Sequence, residues 1–218
     1  MTTDRNQNNF EKLKNFKTQK ISIFWFRRDL RLHDNAGLCE ALKAESPVLP
    51  LFIFDEQIPS QLHNPRDRRV SFIHKSLQSL KEQLQKMGSD LIVLQGRPLD
   101  LIKEIQKNCS LKAVFTNHDY EPEAIERDLD VGNYLKSVGV GFHTFKDQSV
   151  FEKNEILTDQ KKPYTVFTPY KKKWLATVSD FYLKSYPTEN YFFNFLKIHE
   201  HFSSPILENL GFETQDFE

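Results

Sequence analysis

The chain is short of the residues that announce common chemistries. It holds two cysteines in 218 residues, Cys39 and Cys109, without CxxC spacing. That excludes a disulfide framework and a thiolate metal site, and both read as buried thiols of a reducing compartment. Seven histidines show no i,i+4 pairing, so no metal is expected. Glycine is scarce at seven, and there is no GxGxxG, P-loop or GxSxG. The usual phosphate-cradling loop is therefore missing. No Ser/His/Asp or Cys/His constellation stands out, so no catalytic residue is assigned. Excess charge is absent too: Lys plus Arg and Asp plus Glu are 30 each. Neutrality argues against a surface that grips nucleic acid everywhere and leaves room for a local basic patch. No apolar run is long enough to span a membrane, and residues 1–19 lack a signal peptide's apolar core. A soluble, cytoplasmic protein is expected, with no repeat of 20–50 residues.

What is present is a β-α alternation. Ile21–Phe26 and Val48–Phe54 are apolar runs too short for helices and read as buried strands, and Asp90–Gln95, Lys112–Asn117 and Val140–Phe145 read as three more strands. Pro50 inside the second suggests an edge or a bulge. Helices are predicted from Asn35, a plausible cap, to about Glu45, over Pro65–Met87, and through Leu99 to Ile105. A fourth runs through Ile125, Leu129, Tyr134, Leu135 and Val138. The long one carries Val70, Ile73, Leu77, Leu80, Leu84 and Met87 on one face and stops at Gly88. The expected fold is α/β, a doubly wound five-stranded parallel sheet, Rossmann-like, with helices on both faces. Residues 1–19 read as a flexible leader with Phe10, Leu13 and Phe16 as a sparse apolar stripe. Residues 20–178 form the domain, and 179–218, Phe-, Tyr- and Asn-rich without a period, read as a linker or incompletely packed tail.

Charge gathers where the strands end. Arg27, Arg28 and Asp29 follow the first strand, Asp55 and Glu56 the second, Asp119 and Glu121 the fourth, and Arg69 opens the long helix. In a parallel sheet these ends share one edge, so the charges and the aromatics Phe52, Phe54 and Tyr120 can line one crevice. Aromatic faces with carboxylates and guanidiniums on the rim suit a planar, hydrogen-bonding ligand. Each group has a blander reading as a solvated strand-end charge, and for Asp119 and Glu121 that reading is favoured over acid-base work.

Trp25-Phe26-Arg27-Arg28-Asp29-Leu30-Arg31-Leu32-His33-Asp34-Asn35 resembles the N-terminal signature of the DNA photolyase/cryptochrome family. Leu94-Gln95-Gly96-Arg97-Pro98, Asn117-His118-Asp119-Tyr120-Glu121-Pro122 and Tyr164–Lys171 with Trp174 resemble further family segments in the same order. The likeness covers about residues 20–178. It implies the antenna-binding α/β domain of a deoxyribodipyrimidine photolyase, an enzyme that splits pyrimidine dimers in damaged DNA with reduced FAD. The dimer is reached by flipping it out of the duplex. FAD belongs to a C-terminal helical domain with no counterpart in this chain, so the chain alone is expected to be inactive. The resemblance also bears on the antenna pigment. Folate-binding relatives place an Asn-Glu pair just after the strand-four acids, where Pro122-Glu123-Ala124 stands here. Deazaflavin- and flavin-type relatives look closer: Arg28, Arg69, Asp119 and Glu121 match their polar contacts, and Phe52, Phe54 and Asp55 their wall. A deazaflavin or flavin is therefore expected over methenyltetrahydrofolate, on a monomer. Three alternatives stay open: a cryptochrome photoreceptor, a stand-alone nucleotide-binding module, and a DNA-binding protein using Lys171–Lys173 with Arg66–Arg69 as phosphate contacts.

Overall fold

A computed structural model describes residues 2–56 and 64–215. Five strands, β1 (Lys20–Phe26), β2 (Val48–Phe54), β3 (Ile92–Gln95), β4 (Ser110–Asn117) and β5 (Gly141–Phe145), form one sheet in the order β3-β2-β1-β4-β5. Every pairing is parallel, as the β-α alternation requires, since parallel neighbours need a crossover between them. Among the described residues, six helices of two turns or more follow in chain order: α1 (Thr2–Leu13), α2 (Ala36–Lys43), α3 (Arg68–Lys86), α4 (Pro98–Asn108), α5 (Pro122–Ser137) and α6 (Phe167–Thr177). The sheet separates two cores. Phe24, Phe26, Phe52 and Phe54 meet Leu38 of α2 and Leu77 of α3 on one face. Ile23, Trp25 and Ile53 meet Leu13 of α1, Ile102 of α4 and Val131 of α5 on the other. The doubly wound expectation therefore holds, and it puts the strand-order reversal between β1 and β4, where such folds bind ligands.

The helix limits follow local chemistry. Asn35 caps α2, its Oδ1 accepting from Leu38 N at 3.1 Å. Asp67 caps α3 through Arg69 N, and Gly88 at φ +75° ends the run two residues past Lys86. Pro98 and Pro122 open α4 and α5, where their missing N–H groups cost nothing.

Four expectations change. β2 is interior rather than an edge or bulged, yet its pairing with β3 begins only at Leu51↔Ile92. On that side the strand is still open at Pro50. The leader is not a flexible arm where it is described. α1 seals the end of one core with Phe10 and Leu13, and Asn9 Nδ2 donates to Ser203 O at 2.9 Å. The tail is irregular, as expected, but packed. Phe195, Leu196, Ile198, Phe202, Leu207, Leu210 and Phe212 are all buried, and Leu196 N bonds Val48 O at 2.8 Å. Buried Asp90 anchors it by accepting from Phe202 N at 2.7 Å. Finally, α5 docks through Ala124, Val131 and Leu135, while Ile125 and Leu129 stay exposed. The apolar period is right for Leu135 and Tyr134 and wrong for Ile125 and Leu129. The true face also carries Arg127 and Asp128, a charged pair that hides the stripe.

Candidate functional site

The β1 end is built first from buried polar parts. Asp29 accepts from Arg27 N at 2.9 Å and from Asn35 Nδ2 at 3.1 Å, and Asn117 Nδ2 also donates to it. Asn117 Oδ1 in turn takes Gly37 N at 2.9 Å. Asp29, Asn35 and Asn117 are each at most 5% exposed, so this network fixes the loop and α2 and offers nothing to a ligand. Arg31 holds the loop from outside, donating to Asp34 O at 2.7 Å and Asp147 Oδ2 at 2.8 Å.

Above this base lies a charged cluster that ties β1, β2, β4 and α5 together. Arg27 is buried, its Nη1 2.6 Å from Asp128 Oδ2 and its Cζ 4.2 Å above the Trp25 ring. Burial pushes the Arg27 guanidinium below its ordinary value, with Asp128 opposing that shift. Arg127 lies over the same ring at 5.2 Å. It reaches Asp128 at 3.5 Å, Asp55 at 3.8 Å and Asp119 at 4.0 Å. Arg28 is the outermost cation. Its side chain is 57% exposed, with Nε 3.3 Å from Asp119 Oδ2 and Nη2 3.6 Å from Glu121 Oε1. Beside them Tyr120 donates its hydroxyl to Glu152, which also meets His118 Nδ1 at 2.7 Å. Burial and Glu152 push the Tyr120 hydroxyl up to about 12.

The sequence-selected residues thus divide. Arg28, Asp119 and Glu121 meet directly, and Asp55 joins them through Arg127. Phe52 and Phe54 pack edge to face at 5.0 Å within the core of the opposite sheet face. Arg69 is turned to its own cap, Nη2 2.7 Å from Asp67 Oδ2. Arg127, Asp128 and Asn117 are not selected from the sequence, and Arg27 is placed at the crevice without a ligand role. The available signal was Arg127-Asp128 sitting in register with the buried positions Ala124, Val131 and Leu135. An open cleft of about 760 Å³ reaches Asp119 and Asp128 but runs away along Ile125, Leu129 and Phe142, between α5 and β5. The cleft's walls carry His118, Asn133, Lys136, Thr144 and Lys153 beside Asp119 and Asp128, but the convergence of charges at the strand-order reversal marks the candidate site, because that is where folds of this kind bind ligands.

Whether this set suits a flat heterocycle can be judged from its donors. Arg27 Nε and Nη2 and Arg127 Nη2 are buried without a hydrogen-bond partner among the described residues. The carboxyl oxygens of Asp55, Asp119 and Asp128 stand beside them as acceptors. A ring edge that alternates acceptors with N–H or O–H donors fits that mixture. Among the described residues no group of three or more His, Cys, Asp or Glu could hold a metal ion, and no helix is long and apolar enough to cross a membrane.

Comparisons agree with this architecture. The family model described as DNA photolyase matches residues 22–189. A deoxyribodipyrimidine photo-lyase from a Synechococcus strain is 37% identical over 154 residues, which cover 71% of this chain and 32% of that protein. A bacterial class III photolyase from Agrobacterium tumefaciens superposes with a TM-score of 0.73 at 24% identity, over 88% of this chain and 38% of its own, a likeness of fold. An archaeal photolyase from Sulfolobus tokodaii, solved with two FAD molecules, gives 0.58 at 31% identity, over 70% and 34%. The chain spans about a third of these longer relatives.

Proposed function

The chain belongs to the DNA photolyase family, and from that premise we propose that it is the light-harvesting domain of a deoxyribodipyrimidine photolyase. Its crevice at the strand ends holds the antenna pigment, a deazaflavin or flavin in preference to methenyltetrahydrofolate. When bound, such a pigment absorbs light and hands its excitation to the FAD of the family's second domain. The observation that carries the reading is Arg28, an exposed guanidinium held loosely between Asp119 and Glu121 at the strand-order reversal. Contacts of 3.3 and 3.6 Å leave its hydrogen-bonding capacity largely unspent, as a ligand-binding cation needs.

The chain's own residues have two jobs in this account. Arg28, Asp119 and Glu121 orient the pigment's polar rim. Arg27, Arg127 and Asp128 form the base beside Trp25 that holds Asp55 and Asp119 in place. Damaged DNA and FAD belong to the longer protein, and this chain alone does not repair dimers. A cryptochrome is the alternative that shares this domain. Absorbance of the protein purified from its native host tests the pigment assignment: a released deazaflavin or flavin is expected, and a released folate would overturn it.

A further inference from the structure

We propose that Thr144, His118 and Glu152 form a hydroxyl–imidazole–carboxyl triad on the cleft between α5 and β5, and that it hydrolyses carboxylic esters with an apolar acyl group. This activity is separate from light harvesting and needs no pigment.

The arrangement starts from the sheet. β5 is an outer strand, and its pairing Thr116↔Thr144 sets Thr144 on the face that α5 covers, at an exposed position. His118 follows the end of β4, with its N donating to Phe145 O at 2.7 Å. Backbone pairing thus holds both side chains, and His118 Nε2 lies 3.0 Å from Thr144 Oγ1. Across the ring, Nδ1 lies 2.7 Å from Glu152 Oε1. Tyr120 donates its hydroxyl to that same oxygen. The oxygen is therefore an acceptor, and Nδ1 carries the proton of the neutral imidazole. Nε2 is left as an acceptor facing the threonine hydroxyl. Orienting carboxyl, base and hydroxyl stand in the order that an activated nucleophile requires. Glu152 is pinned in turn, its N donating to Glu155 Oε2 at 2.5 Å, and Lys146 Nζ holds Glu155 at 2.8 Å. The acid's side chain is 12% exposed and the base's 28%, so the polar chain is shielded up to the hydroxyl that must meet a substrate.

Thr144 and His118 together line the cleft of about 760 Å³, a volume within the usual range for small-molecule sites. Ile125, Leu129 and Phe142 give it an apolar wall suited to an acyl chain. Lys153, next in sequence to Glu152, lines the same cleft and is held at φ +39°, a left-handed conformation costly for a residue with a Cβ. Its ammonium brings positive charge to the cleft, where an oxyanion develops. In the reaction, Thr144 Oγ attacks the ester carbonyl carbon as His118 Nε2 takes the hydroxyl proton. The bond to the alcohol oxygen breaks, and the alcohol leaves with that proton while the acyl group stays on Thr144. Water then gives a proton to His118 and attacks the acyl-threonine, and the acid departs as Thr144 regains its proton.

The test is hydrolysis of p-nitrophenyl butyrate by the full chain, followed by nitrophenolate release and by mass spectrometry of the trapped acyl-protein. Saturable hydrolysis with a butyryl group on Thr144 is expected. Thr144→Val keeps the side-chain shape at an exposed position and should abolish acylation there, whereas Thr144→Ser should retain it. His118→Gln should slow hydrolysis about a hundredfold or more, the usual worth of a general base. Glu152→Gln should lower kcat about tenfold or more with KM and the melting curve unchanged, as a positioning residue does. A parent chain no faster than Thr144→Val, or a butyryl group found on lysine instead of Thr144, overturns the triad. The His118–Thr144 contact is then a plain hydrogen bond between strand ends, and the light-harvesting reading is untouched.

Discussion

Replacing Asp128 with alanine removes the one close anion among the described residues from a guanidinium that is already short of partners. The Arg27 side chain is 5% exposed, and its Nη1 meets Asp128 Oδ2 at 2.6 Å. Its Nε and Nη2 have no hydrogen-bond partner among the described residues. Asp119 helps it only through space, and Arg127 opposes it. Stripping the partner from a buried ion pair costs about 3–5 kcal/mol, because the remaining charge stays desolvated. Against a typical total of about 5–15 kcal/mol, that is a large share of the domain's stability. Asp128→Asn keeps the shape and an acceptor and should cost about half as much. The double variant Arg27→Met, Asp128→Leu removes both charges and should return most of the loss. Urea denaturation followed by circular dichroism measures all three against the parent. A loss under about 1 kcal/mol for Asp128→Ala would mean that Arg27 is hydrated and that the cluster is not the rigid base assumed for the site.

Other outcomes follow from particular contacts. Leu13 of α1 is fully buried, so Leu13→Ala should cost about 2–5 kcal/mol, and a neutral result would detach the N-terminal helix from the fold. A Cβ on Gly37 would stand 2.5 Å from Asn117 Oδ1 and 3.0 Å from the Phe24 ring, so Gly37→Ala should cost about 1–3 kcal/mol in the same assay. Burial pushes the Cys109 thiol from 9.0 to about 12. Because the folded value is raised, its contribution is intact below pH 9 and is lost as pH climbs from 9 towards 12. A shift of that size corresponds to roughly 4 kcal/mol at most. Melting curves across that range should fall more gently for Cys109→Ala, and a thiol reagent should label Cys109 at pH 9 only as fast as the protein opens.

The sheet was readable because each strand is a short apolar run closed by charge, and because Asn35 and Gly88 mark helix ends by chemistry that acts within a few residues. Arg28, Asp119 and Glu121 were also readable, since the parallel topology alone sends the ends of β1 and β4 to one edge. Three things were hidden for physical reasons. Phe10 and Leu13 look sparse in a polar leader, yet two side chains suffice to seal the end of a core. The tail lacks a period because it packs as irregular turns, with Phe195 and Phe202 buried singly. Arg127 and Asp128 give no inward signal in the sequence because charge on an inward face becomes stable only when partners from other elements arrive. Here those partners are Arg27, Asp55 and Trp25. Phe52 and Phe54 show the converse: alternation along β2 sends both to the far side of the sheet from Arg127.

The account turns on Arg28, and binding of riboflavin to the parent chain and to Arg28→Ala tests it most directly. Quenching of flavin fluorescence should show one saturable site in the parent. The variant should bind about tenfold or more weakly, the loss of a charge-assisted contact, with an unchanged melting curve. Equal affinity in the two proteins, or an Arg28→Ala variant that fails to fold, would contradict the claim that this loop serves a ligand and return it to a structural role.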